Sequence, residues 1–223
     1  MHYELVVFDI AGTTVVDAGS INETFREVFN NNGFSVSPED VAHIMGYEKK
    51  QAITILNNQY QFNLTDELIN KMHGEFIESM VSFYENDTSL KPQPYAIETF
   101  EWLHSKGIDI ALNTGFNRAI TDALLKNLDW NKLPFIATVV TSDEVAEGRP
   151  APDMIKKIMA ELDIHQKTNV VKIGDTEADI KEGRNAGCGL VIGVTTGAYS
   201  REELTQFKPD RIIDSLLELQ ELI

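Results

Sequence analysis

Cysteine is almost missing from this chain, which has a single cysteine, Cys188, among 223 residues. One thiol excludes an internal disulfide and a metal site built from several cysteines. Long apolar runs are missing too, since none approaches the roughly 18–20 residues that a membrane-spanning helix needs. The chain also enters its first apolar segment without the charged and apolar stretches of a secretory signal. We therefore expect a cytoplasmic protein that does not span a membrane.

Positive charge is scarce in this sequence. Lysine and arginine together number 19 against 35 aspartates and glutamates, so the formal net charge is −16. Nucleic acids and anionic membranes both bind basic surfaces, so neither is expected as a partner. An acidic protein that acts on an anionic metabolite needs a local source of positive charge. A bound metal ion or a few well-placed lysine and arginine side chains would provide it.

Strand patterns are missing from residues 17–88. Apolar residues recur there at intervals of three and four, as at Phe25, Val28 and Phe29, which predicts amphipathic helices. The predicted helical segments are 20–33, 38–60 and 65–86. Helix-start signals precede two of them, with serine before Pro-Glu-Asp and threonine before Asp-Glu. We expect residues 17–88 to form an inserted α-helical cap.

Strands and helices alternate through the rest of the chain. After a first strand over 5–8, apolar strands are predicted at 108–114, 135–143, 169–175, 189–194 and 210–213. Helices are predicted between them at 94–106, 117–128, 151–163 and 176–187, and at the C-terminus. This alternation predicts βαβ units. The expected fold class is therefore α/β, a doubly wound parallel sheet formed by residues 1–16 and 89–223.

Four of the predicted strands run into polar residues at their carboxyl ends. The first runs into Asp9, and later strands end at Thr114, at Ser142 and Asp143, and at Asp175. The carboxyl ends of parallel strands lie along one edge of a sheet, where open α/β sheets bind ligands. We therefore expect these side chains to converge although they are far apart in sequence.

Carboxylates are the main chemical feature of this edge. Asp9 and Asp175 would stand on neighbouring strand ends, with Asp179 one helical turn beyond Asp175. Three carboxylates would repel each other, and Mg²⁺ prefers hard oxygen ligands of this kind. Thr114 offers a hydroxyl, and Arg149 a cation before a proline-rich turn. A nucleophile, a metal and anion-binding groups together indicate phosphoryl-group chemistry.

These motifs resemble those of the haloacid dehalogenase superfamily. The segments that carry the resemblance are DIAGTT at 9–14, NTG at 113–115, Arg149 before Pro-Ala-Pro, and GDTEAD at 174–179. The resemblance covers essentially the whole chain, with the helical cap inserted after the first motif. It implies that Asp9 is a nucleophile that forms an aspartyl-phosphate, and that Thr114 and Arg149 hold the phosphoryl group.

The same resemblance implies the remaining ligands of the site. Mg²⁺ would be bound by the Asp9 carboxylate, the Ala11 backbone carbonyl and Asp175, with Asp179 orienting these ligands from close by. The substrate would be a small phosphorylated or phosphonate metabolite. The residues expected to contact it are Gly12, Thr13, Tyr47, Gly115 and Phe116.

Ala11 separates this chain from the phosphatases of that superfamily. Those enzymes usually carry a second aspartate two residues after the nucleophile, which protonates the leaving alcohol. Alanine has no proton to give, and general acid–base assistance is worth roughly 10²–10⁴ in rate. The chain resembles instead the phosphonatases, which show the D-x-A-G-T variant and an arginine at the place of Arg149. The resemblance implies cleavage of the carbon–phosphorus bond of phosphonoacetaldehyde or a related small phosphonate.

A lysine of the cap also matches the phosphonatases. In that family a lysine shortly after Met-Gly forms a Schiff base with the substrate aldehyde, and Lys49 stands at that place in MGYEK. Such a lysine must be partly neutral near pH 7, which requires burial or a neighbouring cation. Lys50 would lower the pKa of Lys49, whereas Glu48 would raise it.

Two residues of the phosphonatase pattern are replaced here. Ala52 stands in place of a histidine, and Phe116 in place of an aromatic residue with a hydroxyl. Two other functions therefore stay open. One is a phosphomonoesterase of the phosphoglycolate-phosphatase type, and the other is a phosphometabolite-binding protein without activity. A homodimer is left open as well.

Overall fold

Six strands form a single sheet in the computed structural model, which describes residues 2–223. Every neighbouring pair is parallel, in the order β3-β2-β1-β4-β5-β6. The strands are β1 (Leu5–Asp9), β2 (Asp109–Thr114), β3 (Ile136–Thr141), β4 (Val170–Gly174), β5 (Leu190–Val194) and β6 (Arg211–Ile213). This order is that of a doubly wound sheet, so the predicted fold class is confirmed.

The central strand β1 is buried on both faces. Val6 and Phe8 pack into one apolar cluster, and Leu5 and Val7 pack into another on the opposite face. All four side chains are fully inaccessible to solvent. A continuous apolar run is therefore what this position requires, because a strand covered by helices on both faces has no side that meets water.

Nine α-helices accompany the sheet within residues 2–223. They are α1 (Ser20–Asn31), α2 (Pro38–His43), α3 (Lys49–Tyr60), α4 (Asp66–Asn86), α5 (Ala96–Ser105), α6 (Arg118–Asn127), α7 (Asp153–Glu161), α8 (Glu177–Ala186) and α9 (Arg201–Gln206). In this described range, no helix combines the length and the apolar character that crossing a membrane requires.

The single helix predicted over 38–60 is wrong, because the chain forms two helices there. α2 ends at His43 and α3 begins at Lys49, and the loop between them contains Gly46 with φ of 84°. That left-handed conformation favours glycine and cannot continue an α-helix. Glu48 then restarts the helix, since its carboxylate accepts hydrogen bonds from the backbone N–H groups of Lys50 and Gln51.

Two further differences lie near the C-terminus. α9 was not predicted, although Ser200 and Glu203 form a capping box at its start. The helix predicted at the C-terminus is present as a 3₁₀ helix over Leu216–Glu221. Its buried residues, Leu216 and Leu219, are three positions apart, which matches the three residues per turn of a 3₁₀ helix.

Helices α1–α4 lie between β1 and β2 in the chain and form what we call the helical insertion, residues 20–86. Phe25 and Phe76 pack inside it with ring centroids 4.9 Å apart, as the helical spacing of the phenylalanines indicated. The two chain segments that connect the insertion to the α/β core run side by side. Val15 bridges Pro92, and the N–H of Val16 donates to the carbonyl of Lys91 at 3.1 Å.

Candidate active site

The polar ends of three neighbouring strands meet at one edge of the sheet. Asp9 is the last residue of β1 and pairs in register with Asn113 of β2, which places Thr114 one residue further along. On the other side β1 pairs with β4, and Asp175 follows the end of that strand. Asp9, Thr114 and Asp175 are all at most 5% exposed. The convergence expected from the strand pattern is present in the structure.

Three carboxylates at this edge lie close enough to share a cation. One oxygen each from Asp9, Asp175 and Asp179 lies within 4.8 Å of the other two. The hydroxyl of Thr13 donates to Asp175 Oδ1 at 2.8 Å, and the N–H of Ala198 donates to Asp175 Oδ2 at 2.7 Å. These bonds fix the orientation of the Asp175 carboxylate at the start of α8.

Arg149 is fully buried and contacts this carboxylate group. Its Nη1 lies 2.5 Å from Asp9 Oδ1 and 2.9 Å from Asp179 Oδ1, and its Nε lies 2.9 Å from Glu182 Oε2. These carboxylates together raise the pKa of Arg149 above its usual value, although burial alone would lower it. Arg149 therefore lies beside Asp9 as the sequence predicts, but within a network of ion pairs.

The sequence analysis assigned no role to three buried residues of this network: Asn113, Lys172 and Glu182. The Lys172 ammonium lies 2.7 Å from Asn113 Oδ1, 3.0 Å from Asp179 Oδ1 and 3.3 Å from Glu182 Oε2. Lys172 is fully buried in the middle of β4. A charge in an otherwise apolar buried strand must be paired, so the run NVVKIGD carried a signal for this residue.

The buried network has an excess of negative charge. When all of them are ionised, four carboxylates (Asp9, Asp175, Asp179 and Glu182) exceed two cations (Arg149 and Lys172) by two negative charges. Burial raises the pKa of Asp175 well above its usual value, and Asp9 and Asp179 raise it further. Burial also raises the pKa of Asp9 to about 6, even though Arg149 opposes this.

Asp179 differs from these two carboxylates, because Arg149 and Lys172 outweigh its burial and lower its pKa. The excess negative charge and the hard oxygen donors thus concentrate at Asp9 and Asp175. Both properties suit a divalent cation such as Mg²⁺.

Lys49 is the first residue of α3 and is only 4% exposed. Its ammonium lies 5.3 Å from the centroid of the Phe116 ring. Burial lowers the pKa of Lys49 to about 8, and Arg149 also lowers it, whereas Asp9, Glu48 and Asp17 raise it. Burial is therefore the main cause of the shift. Glu48 opposes the shift as expected. Lys50, which was expected to lower the pKa of Lys49, has an exposed side chain.

The buried ammonium of Lys49 has a consequence for stability. The pKa of Lys49 is about 8 in the fold against an ordinary 10.5, so the unfolded chain binds more protons between these values. The contribution of Lys49 to the free energy of unfolding is therefore highest above pH 10.5, where Lys49 is neutral in both states. It decreases as the pH falls from 10.5 toward 8, because only the unfolded chain takes up the proton in that range. We expect Lys49→Met to raise the free energy of unfolding at pH 7 by on the order of 1–3 kcal/mol.

Thermal unfolding of the metal-free protein at pH 7 and at pH 10.5 measures this difference, which is expected to shrink at the higher pH. Lys50→Met is the matched control, because the adjacent side chain is exposed and its replacement is expected to change the stability by less than about 0.5 kcal/mol. A Lys49→Met protein that unfolds below the wild-type temperature would contradict the expectation.

The loop between α2 and α3 packs against the sheet edge. A Cβ atom added to Gly115 would lie 2.5 Å from the carbonyl oxygen of Tyr47 and 2.7 Å from that of Gly46. Any side chain at position 115 would therefore push this loop away. The hydroxyl of Tyr199 also donates to the carbonyl of His43 at 2.9 Å, which joins the end of α2 to the loop before α9.

A cavity of about 210 Å³ lies between this loop and the sheet edge. Among the predicted site residues, those that line it are Asp9, Ala11, Gly12, Lys49, Thr114, Gly115, Phe116 and Asp175. Asp17, Asn22 and Met45, to which the sequence analysis assigned no role, line it too. The volume is below the ~300–1,000 Å³ of pockets that take drug-sized ligands. A ligand held in this cavity would therefore be smaller than a drug-sized molecule.

Four predicted site residues do not line this cavity. Thr13 donates to Asp175, and Arg149 and Asp179 belong to the buried network behind the cavity. The side chain of Tyr47 lies near Glu177 and Lys181, and burial followed by Glu177 raises its pKa. Tyr47 thus approaches the site through its backbone, at Gly115.

Comparison with known proteins finds a family model that covers most of the chain and relatives that cover nearly all of it. The family model described as haloacid dehalogenase-like hydrolase matches residues 6–194. A phosphonoacetaldehyde hydrolase of Bacillus anthracis is 32% identical, over 97% of this chain and 86% of the relative. One from Bacillus mycoides is also 32% identical, over 100% of this chain and 86% of the relative.

Solved structures match the fold. A phosphonoacetaldehyde hydrolase-like protein from Oleispira antarctica superposes with a TM-score of 0.87 at 24% identity, over 99% of this chain and 91% of that one. A protein from Haemophilus somnus described as a predicted phosphoglycolate phosphatase superposes with a TM-score of 0.78 at 19% identity, over 99% and 97%. At these sequence identities the two structures show a shared fold and nothing further.

Proposed function

Because the chain belongs to the haloacid dehalogenase-like hydrolase family and is a hydrolase, we propose that it is a Mg²⁺-dependent phosphonatase. Its substrate would be phosphonoacetaldehyde or a related small phosphonate, whose carbon–phosphorus bond it cleaves. The observation that carries this proposal is the pairing of two groups across one small cavity. The Asp9 carboxylate lies on the sheet side, and the buried Lys49 amine faces it from the helical insertion, which we infer to be the cap.

Lys49 would begin the reaction. Its nitrogen attacks the aldehyde carbon, water leaves, and an iminium forms. Asp9 then attacks phosphorus while the electron pair of the carbon–phosphorus bond moves toward the iminium carbon, giving an enamine and an aspartyl-phosphate. Water hydrolyses the aspartyl-phosphate to phosphate and the Asp9 carboxylate. Protonation of the enamine and hydrolysis of the resulting imine release acetaldehyde and free Lys49.

This sequence of steps accounts for Ala11. The leaving group is a carbon whose electron pair the iminium accepts, so an acid beside the nucleophile is not needed to protonate it. The lowered pKa of Lys49, about 8, leaves an appreciable neutral fraction near pH 7, as a Schiff-base lysine requires.

The donor set of the buried carboxylates fits a Mg²⁺ ion. Asp9, Asp175 and the carbonyl of Ala11 would hold it, with Asp179 behind them in contact with Arg149 and Lys172. When bound, the ion supplies positive charge for the phosphoryl oxygens. The hydroxyl of Thr114 accepts a hydrogen bond from the N–H of Phe116 at 3.1 Å, which leaves the hydroxyl proton for the same oxygens.

A borohydride trapping experiment tests the proposal. Protein with Mg²⁺ and phosphonoacetaldehyde is expected to release phosphate, and borohydride is expected to fix a covalent two-carbon adduct on Lys49 that peptide mass mapping locates. Lys49→Arg should lose both the adduct and phosphate release, since a guanidinium does not form an imine. Lys50→Arg is the control and should keep both.

The phosphomonoesterase alternative is tested in the same assay with phosphoglycolate. Phosphate release from phosphoglycolate, with none from phosphonoacetaldehyde and unchanged rates in Lys49→Arg, would overturn the phosphonatase proposal in favour of the alternative.

A further inference from the structure

Imine formation needs a group that carries protons between the lysine nitrogen and the aldehyde oxygen. Ala52 and Phe116 stand where the phosphonatase pattern has a histidine and an aromatic residue with a hydroxyl, and neither side chain can exchange a proton. Both are buried. A chain that forms an imine at Lys49 must therefore take the proton carrier from elsewhere in the cavity wall.

Three carboxylates line the cavity: Asp9, Asp17 and Asp175. Asp9 is paired with Arg149 and is the proposed nucleophile. Asp175 accepts hydrogen bonds on both oxygens, from Thr13 and from the backbone of Ala198. Asp17 is the carboxylate that neither the buried ion-pair network nor the proposed metal site uses.

Asp17 lies on the passage between β1 and α1, next to the helical insertion that carries Lys49. Its Oδ1 accepts hydrogen bonds from the N–H of Gly19 at 3.0 Å and from the hydroxyl of Ser20 at 3.3 Å. These contacts fix the carboxylate in one orientation. Within the described residues Oδ2 accepts no hydrogen bond, so that oxygen is available to a ligand. Asp17 is also near enough to Lys49 to raise the pKa of its ammonium.

Other titratable groups near Lys49 are placed less suitably. Both carboxylate oxygens of Glu48 accept backbone hydrogen bonds at the start of α3, and His73 lies 3.6 Å from Glu48. Tyr84 packs edge-to-face on Phe116 with centroids 6.0 Å apart, but it lines a neighbouring cavity. None of these three side chains lines the cavity that contains Lys49 and Asp9.

We propose that Asp17 is the general acid–base for imine formation at Lys49, an inference that rests on the proposed phosphonatase function. Asp17 takes a proton from the Lys49 ammonium, and the freed amine attacks the aldehyde carbon. Asp17 gives that proton to the aldehyde oxygen and removes one from the new carbon–nitrogen centre, forming the carbinolamine. It then protonates the departing hydroxyl, so that water and the iminium form and the Asp17 carboxylate is restored.

The experiment compares the rate of borohydride trapping by phosphonoacetaldehyde in wild type, Asp17→Asn and Glu48→Gln. Asparagine keeps an Oδ1 acceptor for Gly19 and Ser20 but cannot carry a proton, so the turn and the melting temperature should be preserved. General acid–base assistance is worth ~10²–10⁴, and we expect trapping by Asp17→Asn to slow by about 100-fold or more. Glu48→Gln removes another charge that acts on Lys49 and should slow trapping by no more than a few-fold.

Each outcome separates the two proposals. Trapping of Asp17→Asn at the wild-type rate would overturn the role of Asp17 and leave the imine intact. Equal slowing in Asp17→Asn and Glu48→Gln would also overturn it, because a general charge effect would then suffice. Absence of any wild-type adduct would end the imine proposal itself. If Asp17→Asn does not fold, Asp17→Ser, which also offers an oxygen to the turn, is measured in its place.

Discussion

Asp9→Asn is expected to lower phosphate release from phosphonoacetaldehyde by roughly 10⁴-fold or more, since it removes the proposed covalent nucleophile and with it the step on which turnover depends. The fold should persist. Asparagine still offers Oδ1 to Nη1 of Arg149, which lies 2.5 Å from that atom in the structure, and the substitution removes one of the excess negative charges of the buried network. The measurement pairs single-turnover phosphate release with thermal unfolding.

Asp109→Asn is the matched control for this substitution. Asp109 begins β2, the strand next to β1, but it stands at the opposite end of the sheet and is exposed. Its replacement is expected to leave turnover unchanged. Asp9→Asn should still form the borohydride adduct on Lys49, because in the proposed mechanism imine formation precedes attack on phosphorus. An Asp9→Asn protein with wild-type phosphate release would exclude Asp9 as the nucleophile.

The convergence of Asp9, Thr114 and Asp175 could be predicted because one geometric rule suffices. All three end or follow apolar strands, and parallel strands that neighbour each other carry their carboxyl ends to the same edge. The register of β1 with β2 and β4 places them there. The periodicity of Phe25 and Phe29 was sufficient in the same way, because a repeat of three and four residues identifies the face of a helix that packs inward.

The partners of the buried charges could not be predicted, because pairing across the fold leaves no local pattern. Lys172 and Glu182 are ten residues apart, on β4 and α8. They meet only because α8 packs back against β4, the strand that precedes it in the chain. Their other partners, Asn113 and Arg149, come from distant segments. A lysine inside an apolar strand indicates that some partner exists, but only the three-dimensional packing identifies it.

The direction of individual side chains was the second feature that could not be predicted from the sequence. The MGYEK motif placed Lys49 and Tyr47 together, yet Lys49 lines the cavity while the side chain of Tyr47 lies near α8. The reason is the break between α2 and α3. Gly46 turns the chain with a positive φ and Glu48 starts a new helix, so the residues on either side of Glu48 do not share a helical face.

Ala11→Asp is expected to convert the site toward ester hydrolysis, raising the turnover of small alkyl phosphates by roughly 10²–10⁴. Ala11 lines the cavity two residues after Asp9 and is partly exposed to it. A carboxylic acid there could protonate a leaving alcohol and then activate water. Aryl phosphates with good leaving groups should gain much less, because their departure needs no proton. Steady-state phosphate release from both ester classes measures the difference.

Ala11→Asn is the matched control, because asparagine has nearly the same shape as aspartate and no exchangeable acid. If Ala11→Asp and Ala11→Asn behave alike on alkyl phosphates, the missing acid is not what limits ester hydrolysis. On phosphonoacetaldehyde, Ala11→Asp should give no gain, since in the proposed mechanism the iminium at Lys49 accepts the electron pair of the breaking bond. A gain on esters without one on the phosphonate would assign the choice of leaving group to two residues on opposite walls of the cavity, Ala11 and Lys49.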